Sequence, residues 1–186
     1  VFIKDMLSKC SEAEQAQIAK EYVKFNERCM VRLLGDMRSY NYVIIPIHDF
    51  DQVIYKIRAI DFDQQSFEGK LSVYRPQFFK ENQPLIQMIQ KKLTHDSIDQ
   101  YKIEERSIVA KRIIDNEEKI SQLLISMKES PITTIENLNQ LKLEIYNFTN
   151  DKAFKNSNSM GDILEAALLF IKRNYKNIKP ISFLRN

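Results

Sequence analysis

The chain predicts an α+β fold that is mostly α-helical. Glycine is scarce, 3 among 186 residues, while Lys, Glu, Gln, Leu and Ile abound, a balance that favours helix. Apolar residues recur every three or four positions through several long segments. One stretch, 42–60, breaks that rhythm and alternates every second residue, as a strand pair does. Apolar side chains make up 44% of the chain and charged ones 28%, so a packed core in a single domain over 1–186 is expected rather than disorder.

Each element has its own signal. Ser11-Glu12-Ala13-Glu14 reads as a capping box, in which the Ser side chain bonds the Glu14 amide and Glu14 reaches back. A helix over 11–33 follows, with Ile18, Tyr22, Phe25, Cys29 and Leu33 on one stripe. Gly35 is expected to turn the backbone out of it. Then the period becomes two. Val43, Ile45 and Ile47 share one face of a first strand. Val53, Tyr55, Ile57 and Ala59 share one face of a second, with Lys56 and Arg58 pointing the other way. The polar "DFDQ" joins them, and Pro46 marks a free edge or a bulge.

After residue 63 the chain turns polar, and a helical subdomain is expected over 76–176. "RPQFFKENQPLIQMIQKKL" reads as one or two helices, with Pro84 in the first turn of the second. His95-Asp96 is a helix-start feature. A long helix over about 104–127 is stopped by Ser130-Pro131. Thr133-x-x-Glu136 is a second capping box, opening a helix to about Asn147. Ser159, with Asp162 three residues on, caps a last helix to about Tyr175.

Composition excludes several classes of function. The net charge is +3, from 28 basic and 25 acidic side chains. Lys91-Lys92, Lys111-Arg112 and Lys172-Arg173 sit in helical patterns with acids nearby, so they read as solvated faces. No basic stripe interleaves with aromatics, and no nucleic-acid partner is expected. No apolar run approaches a membrane span, and no signal peptide opens the chain. Cys10 and Cys29 form no C-x-x-C pair, which fits small buried hydrophobes in a reducing, cytoplasmic setting. "VFIKDML" opens the chain without an initiator Met, as in a trimmed or excised piece.

The chemistry-bearing residues gather around the hairpin. Asp36 and Asn41 precede its first strand, and "IDFD", residues 60–63, closes its second. Both lie at the open end, away from the turn. Asp36, Asn41, Asp61 and Asp63 are therefore expected to converge there. Three carboxylates repel one another unless a cation sits among them, and hard oxygen ligands suit Mg²⁺. His48, Asp49 and Asp51 also form a polar cluster, but at the hairpin tip and without a further His or Cys, so they read as a solvated turn. The plainer reading of Asp36 and Asn41 is turn chemistry, and of Asp61 and Asp63 a polar strand exit.

"GDMRSYN", followed by a hairpin and "IDFD", resembles the catalytic loop and metal-binding segment of the protein-kinase-like superfamily. The aminoglycoside phosphotransferase and choline kinase branch is closest in flavour, with Gly-Asp in the loop and a second acid in the later motif. The resemblance covers 11–70 specifically and implies a kinase-like C-terminal lobe. In that lobe a hairpin carries the catalytic loop and metal-binding segment, spanning 34–63. It implies catalytic roles for Asp36, as the base for a substrate hydroxyl, and for Arg38, which neutralises phosphoryl charge. It implies that Asn41 and Asp61 bind ATP through Mg²⁺, with Asp63 as a further metal acid.

The sequence departs from the family in three ways. Leu34 stands where a histidine is usual, the interval from Asn41 to Asp61 is long, and no glycine-rich phosphate loop or strand lysine with a helical Glu partner occurs. The N-terminal lobe is therefore expected to lie outside this chain. The segment "QQSFEGKLSVYRPQ" offers hydroxyls at Ser66, Ser72 and Tyr74 but lacks the Ala-Pro-Glu of protein kinases. The expected activity is ATP/Mg-dependent phosphoryl transfer to a hydroxyl acceptor. Two alternatives stand beside it: an inactive kinase-like regulatory or binding module, and a helical protein-interaction domain.

Overall fold

A computed structural model describes residues 2–50, 52–62 and 69–175. A short helix, α1 (Phe2–Ser8), precedes the long α2 (Glu12–Arg32), whose capping box forms as expected. Ser11 Oγ accepts from the Glu14 amide at 3.3 Å, and Glu14 accepts from the Ser11 amide at 2.8 Å. The helix ends earlier than Gly35. Leu33 itself takes the left-handed conformation, φ 51°, and its N–H bonds the carbonyls of Cys29 and Met30. A side chain is costly there, but Leu33 is buried among the helices that follow. Among the described residues no glycine has a positive φ.

The strands β1 (Tyr42–Asp49) and β2 (Gln52–Ala59) pair antiparallel in unbroken register, from Tyr42 opposite Ala59 to Asp49 opposite Gln52. No bulge is needed at Pro46. In the two-stranded sheet β1 + β2 it sits on an edge strand, where its missing N–H costs least. The register sets Tyr42, Ile44 and Pro46 on one face with Tyr55, Ile57 and Ala59, and that face packs on α2. Val43, Ile45 and Ile47 therefore form the outer face. Tyr55 Oη donates to Glu14 at 2.6 Å, tying β2 to the start of α2.

Three single 3₁₀ turns, Leu71–Tyr74, Pro76–Phe78 and Lys80–Asn82, lead into α3 (Gln83–Lys92), with Pro84 in its first turn. The long helix expected over 104–127 is two helices, α4 (His95–Asp115) and α5 (Glu117–Glu129). Thr94 caps α4, and the break falls at Asn116. There the side-chain amide donates to the Arg112 carbonyl at 2.9 Å, competing with the helical ladder. Next come α6 (Ile135–Thr149), α7 (Lys152–Lys155) and α8 (Met160–Tyr175). The cap of α6 is Thr134 rather than Thr133: its hydroxyl accepts from the Asn137 amide at 3.2 Å. Ser159 and Asp162 cap α8 as expected, with the Asp162 amide 3.0 Å from Ser159 Oγ.

Apolar side chains collect in three clusters. One joins α1, α2, α3 and the hairpin; one joins α6, α7 and α8; the smallest joins the end of α2 to α4 and α8. Thus α2 runs through all three, and its C-terminal end delivers the loop that carries Asp36. At Gly161 a Cβ would stand 2.7 Å from the Lys128 backbone nitrogen, so only glycine lets α8 pass α5 this closely.

Candidate functional site

The loop after α2 is fixed by its own backbone. The Asp36 amide donates to the Val73 carbonyl at 3.1 Å, the Arg38 amide to the Asp36 carbonyl at 2.8 Å, and the Asn41 amide to the Arg38 carbonyl at 2.9 Å. Asp36 sits at φ 53°, a left-handed position that Asp tolerates better than most residues.

Asn41 is the hub. Its Nδ2 donates to the Asp36 carbonyl at 2.7 Å and to Asp36 Oδ2 at 3.3 Å. Its carbonyl accepts from the amides of Ile60 at 2.9 Å and Asp61 at 3.4 Å. One residue therefore joins the Asp36 loop to the exit of β2. The structure brings Asp36 and Asn41 into contact and sets Asp61 beside Asn41 through the backbone. Asp63 lies outside the described residues, as do Asp51 and Ser66.

The charge balance differs from the expected mutual repulsion. Arg38 Nε meets Asp36 Oδ1 at 2.8 Å, and its Nη1 meets Glu81 at 3.2 Å. The guanidinium also lies over the Phe79 ring, 4.9 Å from its centroid. The Arg38 guanidinium offsets the Asp36 charge. The hydrogen bond to Asp36 raises the Arg38 pKa above its ordinary value.

Behind the loop stands a residue that sequence reasoning missed. Asn82 is fully buried; its Nδ2 donates to the carbonyls of Met37 at 2.9 Å and Pro76 at 2.8 Å, and its Oδ1 accepts from Tyr42 Oη at 2.7 Å. It locks the loop to the first residue of β1. Burial pushes the Tyr42 phenol pKa up, so it stays a donor.

A second missed network lies under β2. Arg28 reaches Glu21 at 2.8 Å, Glu105 at 3.2 Å and the Ile57 carbonyl at 3.1 Å, while the Ile57 amide donates to Glu21 at 3.2 Å. Burial alone would lower the Arg28 pKa, but the two carboxylates outweigh it and hold it above its ordinary value. The available signal was two opposite charges seven apart on α2, both beside the apolar stripe.

Leu34 is packed in the core of α2 and the hairpin. His48 is exposed near the turn, at the opposite end of the hairpin from Asn41. Among the described residues no group of three or more His, Cys, Asp or Glu is placed to hold a metal ion. Hard cations of the Mg²⁺ kind take one or two carboxylates and fill their shell with water and phosphate oxygens, so the residues to weigh at the open end are Asn41 and Asp61. Asn41 Oδ1 accepts no hydrogen bond from any described residue; both of the side-chain bonds are made by Nδ2. Among the described residues no helix is long and apolar enough to cross a membrane. No protein-family model, curated protein or solved structure matches this chain.

Proposed function

We propose that this chain is the C-terminal lobe of an ATP- and Mg²⁺-dependent phosphotransferase acting on a hydroxyl acceptor. One observation carries the reading: Asn41 binds the Asp36 loop with Nδ2 and the Asp61 backbone with its carbonyl, while its Oδ1 has no donor among the described residues. In this reading Asp36 accepts the proton of the acceptor hydroxyl as that oxygen bonds the γ-phosphorus. The bond from that phosphorus to the bridging oxygen breaks, and ADP leaves with the electron pair. Arg38, beside Asp36, neutralises charge on the phosphoryl group. Asn41 Oδ1 and the Asp61 carboxylate would hold the Mg²⁺, which supplies charge neutralisation on the nucleotide phosphates. Asp63 is a further acid for the same role.

The reading also requires an N-terminal lobe to cover the nucleotide. Its setting is reducing and cytoplasmic, in keeping with two unpaired cysteines.

A second reading keeps the fold and drops the transfer. It is favoured by the engagement of both Asp36 oxygens, by Arg38 and by Asn41. A regulatory module of this kind would bind nucleotide without turnover.

The test uses the protein with its nucleotide-binding lobe present. Asp36→Asn is expected to keep nucleotide affinity and lower single-turnover transfer by about two to four orders of magnitude. Asp61→Asn is expected to weaken Mg-ATP binding as well. Transfer by Asp36→Asn at the wild-type rate would leave Asp36 a turn residue. Nucleotide binding with no transfer by the wild type, for any hydroxyl acceptor tried, would favour the second reading.

A further inference from the structure

The end of α2 and the helices α4, α5 and α8 enclose a cavity of about 600 Å³. That is within the range of small-molecule sites, about 300–1,000 Å³. Its walls are apolar: Val109 and Ile113 from α4, Leu124 and Met127 from α5, and Leu164 and Leu168 from α8. Three arginines also line it, Arg28, Arg32 and Arg112, and no acidic side chain does so among the described residues. Arg28 is already bound to Glu21 and Glu105. Arg32 and Arg112 differ. Their side chains are exposed and make no hydrogen bond or ion pair among the described residues. Both also line an adjoining cavity of about 490 Å³ beside β2, together with Lys56, Arg58 and the two acids Glu21 and Glu105, which Arg28 pairs. The two cavities share Arg32 and Arg112, along with Arg28, Leu34 and Phe62, so these two arginines stand between a charged cavity, whose acids are already paired with Arg28, and an oily chamber.

An occupant that satisfies both halves is an amphiphile with one anionic end. We propose that the cavity binds a free long-chain carboxylate, its alkyl tail between α4, α5 and α8 and its head on Arg32 and Arg112. A guanidinium offers paired donors that match the two oxygens of a carboxylate. The tail removes apolar wall from water, and the head gives a partner to two cations that have none among the described residues. This site stands apart from the Asp36 loop and does not depend on the phosphotransfer reading.

The test titrates the 186-residue chain with cis-parinaric acid, followed by fluorescence, and with its uncharged methyl ester. The acid is expected to bind saturably and more tightly than the ester. The double variant Arg32→Glu with Arg112→Glu should lose at least about tenfold in affinity for the acid and little for the ester. Both positions are exposed, so the fold should survive, and circular dichroism checks this. Met127→Trp, which fills the chamber, should weaken both ligands. Absence of saturable binding by the wild type overturns the proposal. So does equal binding of the acid by the charge-reversed variant, by which the arginines are shown not to hold the head. Self-association of the ligand-free chain that buries this cavity, or binding to anionic vesicles in place of the free acid, also overturns it.

Discussion

The half of the molecule around the hairpin and the half built from α4 to α8 are held together in different ways. Around the hairpin, buried polar side chains fix individual backbone atoms: Asn82 takes the carbonyls of Met37 and Pro76, and Glu21 takes the amide of Ile57. In the helical half, Leu141, Ile145, Ile163 and Phe154 pack by apolar contact, and a 600 Å³ cavity is left open between α4, α5 and α8. Directional bonds specify where an atom sits, whereas apolar contact specifies mainly how much volume is filled. The region that carries Asp36 and Asn41 is the one with the buried hydrogen bonds.

The largest break in this contrast should come from Arg28→Leu. It would leave buried Glu105 without its counter-charge and buried Glu21 with only the distant Lys56 at 3.9 Å, and removal of one partner from such a set costs about 3–5 kcal/mol. Urea denaturation measures it. A loss below about 1 kcal/mol would mean that the network is solvated and holds nothing.

A paired comparison is sharper. Asn82→Leu is close to Asn in size but strands two carbonyls and the Tyr42 hydroxyl, at about 1–3 kcal/mol for each buried group left unmade. Leu141→Met, equally buried in the helical half, should cost less than about 1.5 kcal/mol. Equal losses in the two variants would erase the distinction between the halves.

Those residues also mark what the sequence could tell. Asp36 and Asn41 were legible as partners because they are five residues apart in a single loop. Asn82 was not, since its partners lie 45, 40 and 6 residues away and nothing local distinguishes it from a loop asparagine. The α2 stripe and its capping box were legible because both are set by neighbours within one or two turns. The left-handed Leu33 was not, because the sequence rule points to glycine and tertiary burial overrides it. The break at Asn116 and the cap at Thr134 failed for a related reason: adjacent polar residues compete for one role, and packing decides between them. The outer placement of Val43, Ile45 and Ile47 depended on which strand face met α2, which alternation alone leaves open.

The smallest effect concerns Asp162 at the start of α8. Burial raises its pKa, but the Asn158 amide, the Ser159 hydroxyl and Lys128 outweigh this and hold it below the ordinary value. A carboxyl with a lowered folded pKa adds stability above its unfolded value, and that stability is lost as pH falls through the folded one. Wild type should therefore lose more stability than Asp162→Asn on acidification below about pH 4. Parallel curves of denaturation midpoint against pH would remove Asp162 from the account.

The central claim is that Asn41 presents Oδ1, beside Asp61, to a hard cation. Mn²⁺ substituted for Mg²⁺ tests it most directly, through paramagnetic broadening in the NMR spectrum of the ¹⁵N-labelled chain. The account predicts that the Asn41 side-chain amide and the backbone amides of Ile60 and Asp61 broaden first, and that Asp61→Asn abolishes this preference. Broadening spread over the surface acids, with the Asn41 signals unaffected, would contradict it.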